Sequence, residues 1–170
     1  ELSLERRRQL TSAAAANELL VVEDDPYGAL AYSGQTLPSL MSMRPQATVY
    51  LGSFSKVLAP GLRVGYAIAP PELHLKMVQA KQAADLHTPS FNQRIIHELV
   101  SSGLLDRQVP RIRALYQQHC ETMLQAMQQH FPARIAWTRP RGGMFIWVSL
   151  PEGFDTSQLL QRALQRHVAF

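Results

Sequence analysis

Apolar and polar residues succeed one another along the first half of the chain in blocks that predict helices and strands in turn. Three short apolar runs predict strands, namely Leu19–Val22, Thr48–Leu51 and Gly65–Ala69, and the first of them is typical of a buried parallel strand. The alternation of helical and strand patterns predicts an α/β layer. Helices are predicted on either side of these runs, over Leu4–Glu18, from the opening Pro70-Pro71-Glu72 to about Ala84, and from Ser90 to about Gly103.

The pattern changes after Pro110. Apolar residues recur at three- and four-residue steps as far as His130, and this spacing predicts one face of a long helix. Beyond that helix, Ile135–Trp137 and Met144–Leu150 predict two strands with a glycine-rich connection. A last helix is predicted to begin with Asp155 or Thr156 as its capping residue. This second half therefore predicts a smaller α+β lobe.

A length of 170 residues is enough to bury a core, and it corresponds to one domain or a domain and a half. The two patterns predict an α/β domain over residues 1–108 and a smaller domain over residues 109–170. No apolar run approaches the ~20 residues that a membrane-spanning helix needs. We therefore expect a protein without a membrane-spanning segment.

Charge and cysteine content narrow the function classes. The net charge is +4, but the only basic run, Arg6–Arg8, falls on a predicted helix and indicates a solvated face rather than a nucleic-acid site. The single cysteine, Cys120, excludes an internal disulfide and favours a reducing compartment, so we expect a cytoplasmic protein. The six histidines are scattered without metal-ligand spacing, and we expect no metal site.

The residues that follow the second predicted strand carry candidate chemistry. Ser53, Ser55 and Lys56 come directly after the strand, and Arg63 follows a Pro-Gly turn. A lysine amine can form a Schiff base with a carbonyl cofactor, whereas a guanidinium and two hydroxyls match a phosphate. No nucleotide-binding glycine-lysine loop is present. Ser-Lys alone is weak evidence, because a solvated lysine after a strand is common.

An acidic turn after the first predicted strand changes the weight of that evidence. Asp24 and Tyr27 lie where this strand ends, and the carboxyl ends of neighbouring strands form one rim of an α/β sheet. A carboxylate at the rim would pair with a protonated pyridine nitrogen, which pyridoxal phosphate needs to act as an electron sink. The tyrosine hydroxyl could then hydrogen-bond to the ring hydroxyl of that cofactor.

Two motifs and one arginine together resemble a known family. Asp24-Asp25-Pro26-Tyr27, Ser53-Phe54-Ser55-Lys56 and Arg63 within Ala-Pro-Gly-Leu-Arg-Val-Gly-Tyr are similar to the fold-type I, class I/II pyridoxal-phosphate aminotransferases. Within them, the chain resembles the branch of 2-aminoadipate and kynurenine aminotransferases and of the aminotransferase-like domains of MocR regulators. Gly142–Trp147 also resembles the small-domain strand of that branch.

The resemblance implies a role for the three residues around the cofactor ring. Lys56 would hold pyridoxal 5′-phosphate as a Schiff base and, once displaced by substrate, move the proton between Cα and C4′. Asp24 would keep the pyridine nitrogen protonated. Tyr27 would donate to the ring oxygen O3′. The chain would then contain the C-terminal part of the large cofactor-binding domain and most of the small domain.

The resemblance also implies a phosphate site and a substrate contact. Ser53, Ser55 and Arg63 would bind the cofactor phosphate. Phe145 would line the substrate pocket, although packing within its own strand is an equally good interpretation. Asp25 is interpreted as a turn residue. Family members are homodimers with active sites at the subunit interface, so a homodimer is expected for the full-length protein.

The function implied is the transfer of an amino group between an amino acid and a 2-oxo acid. Two alternatives stay open: a MocR/GntR-type transcriptional regulator that senses pyridoxal phosphate and binds nucleic acid, and a pyridoxal-phosphate β-lyase. The family's upstream phosphate anchor, ring-stacking aromatic and ring-hydroxyl asparagine are absent, as is its C-terminal carboxylate-binding arginine. We therefore expect a partial chain that does not form a complete site by itself.

Overall fold

The computed structural model describes residues 2–170. The chain forms two compact units, of which the first contains Glu1–His119 with Arg141–Met144 and the second contains Cys120–Pro140 with Phe145–Phe170. The predicted domain boundary between residues 108 and 109 stays a prediction, since it refers to the domains of a longer protein.

A three-stranded sheet is the centre of the first unit. Its strands are β1 (Val21–Asp24), β2 (Thr48–Ser53) and β3 (Gly65–Ile68), in the order β1-β2-β3. β1 runs parallel to β2, with Asp24 opposite Leu51, whereas β3 is antiparallel to β2. Because β1 and β2 are parallel, both carboxyl ends lie at the same edge of the sheet. The predicted parallel pairing is confirmed.

Five helices belong wholly or partly to this unit. The Ser3 hydroxyl caps the first by accepting a hydrogen bond from Arg6 N at 3.2 Å. The helices are α1 (Leu4–Ala16), α2 (Leu40–Met43), α3 (Pro71–Asp85), α4 (Ser90–Ser101) and α5 (Leu104–His130), the last of which continues into the second unit.

A buried carboxylate joins β1 to the helices. Glu23 is 8% exposed and accepts hydrogen bonds from the backbone N–H groups of Leu40, at 3.0 Å, and Met41, at 2.9 Å. Arg7 Nη1 of α1 lies 3.4 Å from the same carboxylate. Donors of this kind offset the cost of burying a charge. Since strand residues alternate between faces, Glu23 and Asp24 lie on opposite faces of the sheet.

The apolar core of the first unit lies beside this carboxylate. Thr48 and Val49 of β2 are buried. Val57 and Val64, near the two ends of the connection between β2 and β3, are buried as well. The other buried apolar residues of this unit are Ala14, Leu30, Ala31, Leu40 and Ile96.

The segment Arg141–Met144 belongs to the first unit because its backbone binds the chain at Leu30–Tyr32. Tyr32 N donates to Arg141 O at 2.9 Å, and Gly143 N donates to Leu30 O at 3.1 Å. Gly142 forms an antiparallel bridge with Ala31. A Cβ at Gly142 would lie 2.8 Å from both Ala31 Cα and Leu30 O, so only glycine permits this approach.

The second unit is built on a short hairpin and one helix. β4 (Ala136–Trp137) pairs antiparallel with β5 (Val148–Ser149), and α6 spans Thr156–Leu164. Asp155 caps α6 as predicted, because its carboxylate accepts hydrogen bonds from the backbone at 2.8 and 3.3 Å. The rings of Phe131 and Trp137 pack edge to face, with centroids 5.9 Å apart.

Three elements differ most from the sequence-based expectation. β1 begins at Val21 and continues to Asp24, whereas the apolar run predicted a strand from Leu19. Glu23 and Asp24 belong to the strand because the Glu23 carboxylate accepts hydrogen bonds from the start of α2. α5 begins at Leu104 and runs through Pro110, although a proline removes one backbone hydrogen bond of a helix. The predicted strand Met144–Leu150 is reduced to β5. No helix within residues 2–170 is long and apolar enough to cross a membrane.

Candidate active site

The carboxyl edge of the sheet carries most of the predicted site residues. Asp24 is the last residue of β1, and Ser53 is the last residue of β2. Lys56 follows within a tight turn, and its Nζ lies 5.8 Å from the centre of the Tyr27 ring. An amine, a carboxylate and a phenol therefore lie at the same edge of the sheet. Lys56 is half-buried in this chain, whereas Asp24 is exposed.

The turn after β2 fixes the backbone position of Lys56. The Ser53 hydroxyl accepts a hydrogen bond from Ser55 N at 3.1 Å, which closes the chain on itself directly after the strand. Leu58 N donates to Phe54 O at 2.9 Å, so the residues around Lys56 form one helical turn. Val57 is buried and anchors that turn. The lysine thus projects from an ordered turn rather than from an open loop.

Arg63 lies between a single 3-10 turn (Pro60–Leu62) and β3. Its backbone is left-handed, with φ 51° and ψ 42°, a conformation that is uncommon for residues other than glycine. Asn92 of α4 donates to Leu62 O at 2.9 Å and holds the turn in place. The exposed Arg63 guanidinium donates to Pro60 O at 3.4 Å. Strained backbone of this kind is often found at ligand-binding sites.

A hydrogen bond between Asp25 and Tyr50 lies beside these residues, and sequence reasoning missed it. Tyr50 Oη donates to Asp25 Oδ2 at 3.2 Å. Burial, followed by the charge of Asp25 and the neighbouring Tyr66, raises the pKa of Tyr50 well above its ordinary value. The two-residue alternation of β1 could have indicated that Asp25 lies on the face opposite Asp24.

Aromatic rings cover one face of β2 next to the site. The Tyr66 ring lies directly over Gly52, its partner across the sheet, where a Cβ would collide with the ring. The centroid of Tyr66 is 5.4 Å from that of Phe54 and 6.3 Å from that of Tyr50. Gly52 thus lets this cluster pack on the strand that leads to Lys56.

Phe145 is the predicted site residue that lies in the second unit. It is 73% exposed and stands before β5 in the chain. Asp24, Tyr27, Ser53, Ser55, Lys56 and Arg63 all lie at or next to the carboxyl edge of the sheet in the first unit. The structure therefore groups six of the seven predicted residues, and their individual roles stay predictions.

The family of this chain follows from comparison with known proteins. Residues 2–170 match the family model described as aminotransferase class I and II. The 2-aminoadipate transaminase of Thermus thermophilus is 46% identical over 98% of this chain and 43% of its own length. The aromatic-amino-acid aminotransferase 1 of Thermococcus litoralis is 41% identical over 97% of this chain and 40% of its own length. The chain therefore belongs to the class I and II aminotransferase family.

A solved structure supports the same fold. The crystal structure of the α-aminoadipate aminotransferase LysN from Thermus thermophilus, complexed with N-(5′-phosphopyridoxyl)-L-leucine, matches with a TM-score of 0.93. It is 44% identical, and the match covers 99% of this chain and 44% of that chain. The fold is that of the fold-type I pyridoxal-phosphate aminotransferases, as predicted. The chain spans less than half the length of the relatives it matches.

Transcriptional regulators also occur among the relatives. The HTH-type transcriptional regulator TauR of Rhodobacter capsulatus is 36% identical over 95% of this chain and 33% of its own length. Its identity is lower than that of the two aminotransferases above. The chain therefore resembles aminotransferases and a transcriptional regulator alike, with the higher identity to the aminotransferases.

Proposed function

We propose that this chain is part of a longer polypeptide, the parent protein, that transfers an amino group between an amino acid and a 2-oxo acid with pyridoxal 5′-phosphate. The observation that carries the proposal is the position of the Lys56 amine beside the Tyr27 ring, at the sheet edge where β1 ends in Asp24. Membership of the aminotransferase family supports it.

The side chains at this edge match the chemical groups of the cofactor. The aldehyde requires an amine, which Lys56 supplies. The phosphate requires hydroxyls and a guanidinium, which Ser53, Ser55 and Arg63 supply from the turns on either side of Val57. The Arg63 guanidinium is exposed and donates only one long hydrogen bond within the described part of the chain, so most of its donors remain available.

Each residue at the ring would have one task in the reaction. The bound cofactor supplies an electron sink that stabilises negative charge at the substrate Cα. Asp24 would keep the pyridine nitrogen protonated by accepting its hydrogen bond. Tyr27 would donate to the ring oxygen O3′. Lys56 would hold the cofactor at rest and, once the substrate amine takes its place, move the proton between Cα and C4′.

The substrates and assembly of the parent protein are part of the same proposal. The amino donor is an amino acid and the acceptor a 2-oxo acid, with 2-aminoadipate and aromatic amino acids as first substrates to try, since relatives carry those names. Phe145 would line the substrate pocket. We propose a cytoplasmic homodimer, and the boundary between large and small domains near residue 108.

An assay of the purified parent protein tests the proposal. Loaded with pyridoxal phosphate, it should convert an amino acid to its 2-oxo acid only when a second 2-oxo acid accepts the amino group. Lys56→Ala should lose more than about 1,000-fold in kcat, because it removes the base that moves the proton. Lys81→Ala, on exposed α3, is the matched control and should keep wild-type activity. Release of ammonia and pyruvate from a cysteine conjugate without a 2-oxo acid would instead indicate a β-lyase.

The second candidate function is a regulator that senses pyridoxal phosphate. The similarity to TauR is the observation that favours it. Sequencing upstream of this chain in the parent protein separates the two functions. A further segment of about 70–100 residues with helix-turn-helix character, together with specific DNA binding and no transamination, would favour the regulator.

A further inference from the structure

Asp25 and Tyr50 form a contact that the proposed reaction does not use. Tyr50 Oη of β2 donates to Asp25 Oδ2 at 3.2 Å. The Asp25 backbone N–H also donates to Leu51 O at 3.0 Å, which extends the pairing of β1 with β2 by one residue. Both the main chain and the side chain of Asp25 are therefore bound to β2, directly after Asp24.

The Asp25 carboxylate also closes the turn that contains Tyr27. A Cβ added to Gly28 would lie 2.7 Å from Asp25 Cγ and would overlap the carboxylate. The carboxylate is short and is bonded to Tyr50, so it cannot swing away without breaking that bond. Since Gly28 follows Tyr27 directly, the Asp25 side chain contacts the chain on the far side of the tyrosine.

The Tyr50 hydroxyl is protonated, and can therefore donate this hydrogen bond, throughout the neutral pH range. Its ring faces Asp25, Glu23 and Tyr66, and the Tyr66 ring centre lies 6.3 Å from its own. Burial and the negative charge of Asp25 raise the pKa of Tyr50, so the hydroxyl keeps its proton throughout the neutral range. The hydrogen bond is thus maintained at any pH at which the enzyme would work.

We propose that Tyr50 and Asp25 form a positioning pair that fixes Asp24 and Tyr27 relative to Lys56. Residues on a strand alternate between faces, so Asp25 is held on the face opposite Asp24 and neither partner of the pair needs to touch the cofactor. The inference rests on the proposed function, because it assigns the turn to the cofactor ring. It adds two residues, one of which the sequence alone marks as an ordinary turn residue.

The pair has a spectroscopic consequence. A hydrogen bond from Tyr27 to the ring oxygen withdraws charge from it and lowers the pH at which the visible absorbance of the bound cofactor changes. A turn that loosens moves Tyr27 away and raises this midpoint. A residue that only stabilises the fold would change the unfolding temperature but not the midpoint.

The first test is a pH titration of the visible absorbance of the parent protein loaded with pyridoxal phosphate. Tyr27→Phe should raise the midpoint. Tyr50→Phe and Asp25→Ala should raise it by about half a pH unit, as expected for a weakened hydrogen bond. Asp25→Asn keeps an acceptor of the same size and should stay close to wild type. Tyr116→Phe, which removes the same hydroxyl from α5, is the control and should change nothing.

A second test needs no cofactor. Gly28→Ala should lower the unfolding temperature of the cofactor-free parent protein, because the added methyl displaces the Asp25 carboxylate. In the Asp25→Ala background the same methyl has room, and Gly28→Ala should cost much less. This non-additivity is the signature of direct contact between residues 25 and 28.

The outcomes separate this inference from the proposed function. Wild-type midpoints in Tyr50→Phe and Asp25→Ala, with a raised midpoint in Tyr27→Phe, would overturn the positioning pair and leave the proposed function standing. An equal cost of Gly28→Ala in both backgrounds would also overturn the pair. A visible band that persists in Lys56→Ala would remove the proposed function, and the inference with it.

Discussion

Lys56 combines side-chain chemistry and local structure in a way that neither of the other two lysines does. The chain contains three lysines, and Lys76 and Lys81 lie on the exposed helix α3. Lys81 Nζ is paired with Asp85 at 2.7 Å, one helical turn along the chain. Lys56 instead lies on an ordered turn at the edge of the sheet, beside an aromatic ring. At the scale of residues, the proposed function therefore depends on one amine.

Glu23 gives a prediction about stability at the same scale. Glu23→Ala should lower the free energy of unfolding of the parent protein by about 3 kcal/mol, because it removes the acceptor of the Leu40 and Met41 backbone N–H groups and the charge partner of Arg7. Glu23→Gln keeps one acceptor oxygen and should cost roughly half as much. Urea unfolding measures both, and Glu98→Gln, at an exposed position of α4, is the control. Losses below about 1 kcal/mol in both Glu23 variants would contradict the assigned role.

Tyr50 gives a prediction about alkaline pH. Its ordinary pKa is 10.0, and the folded protein raises it through burial and through Asp25. Above pH 10 the unfolded chain releases this proton while the folded chain retains it, so folding stability should fall as the pH rises. Tyr50→Phe should flatten that decline, as measured by urea unfolding between pH 9 and 11. A decline of unchanged slope in Tyr50→Phe would show that Tyr50 is not its source.

At the scale of elements, the sequence predicts the order and type of the main strands and helices. The turn residues and the apolar periods are local signals, and they place β2, β3, α3 and α4 to within a few residues. The grouping of Asp24 with Lys56 is also predictable, because parallel strands bring their carboxyl ends together. These predictions use only short-range patterns and one rule of sheet topology.

The features that sequence reasoning missed depend on contacts between distant residues. β1 continues through Glu23 because Arg7 and the start of α2 bind the carboxylate, and no local pattern reveals those partners. Leu19 and Leu20, which predict the start of a buried strand, are 56% and 52% exposed in this chain. The approach of Gly142 to Ala31 joins segments that are far apart in sequence, so the glycine there reads only as part of a turn.

The close approach of Gly142 to the backbone of Leu30 and Ala31 gives a prediction about stability. Gly142→Ala should lower the free energy of unfolding by about 2–3 kcal/mol, because the methyl would meet the backbone of Leu30 and Ala31, which cannot move aside like a side chain. Gly61→Ala is the matched control, since no atom lies within 4 Å of its added Cβ. That control should be neutral or slightly stabilising. Equal stability of the two variants in urea would contradict the close approach.

At the scale of the whole molecule, we propose that this chain is one part of a longer parent protein. The chain covers 43% of the 2-aminoadipate transaminase of Thermus thermophilus and 44% of the LysN chain. The resemblance to family members with sites at a subunit interface leads us to expect a parent protein that is a dimer. Light scattering of the purified parent protein should give twice the mass of one polypeptide. A monomer with full transamination activity would contradict this expectation.

The proposed function requires the cofactor to be attached to Lys56, and peptide mapping measures that attachment directly. The parent protein is incubated with pyridoxal phosphate, reduced with borohydride to fix the linkage, digested, and mapped by mass spectrometry. We expect the mass of a phosphopyridoxyl group on the peptide that contains Lys56, and unmodified Lys76 and Lys81. Modification of either α3 lysine in place of Lys56, or of none of the three, would contradict the account.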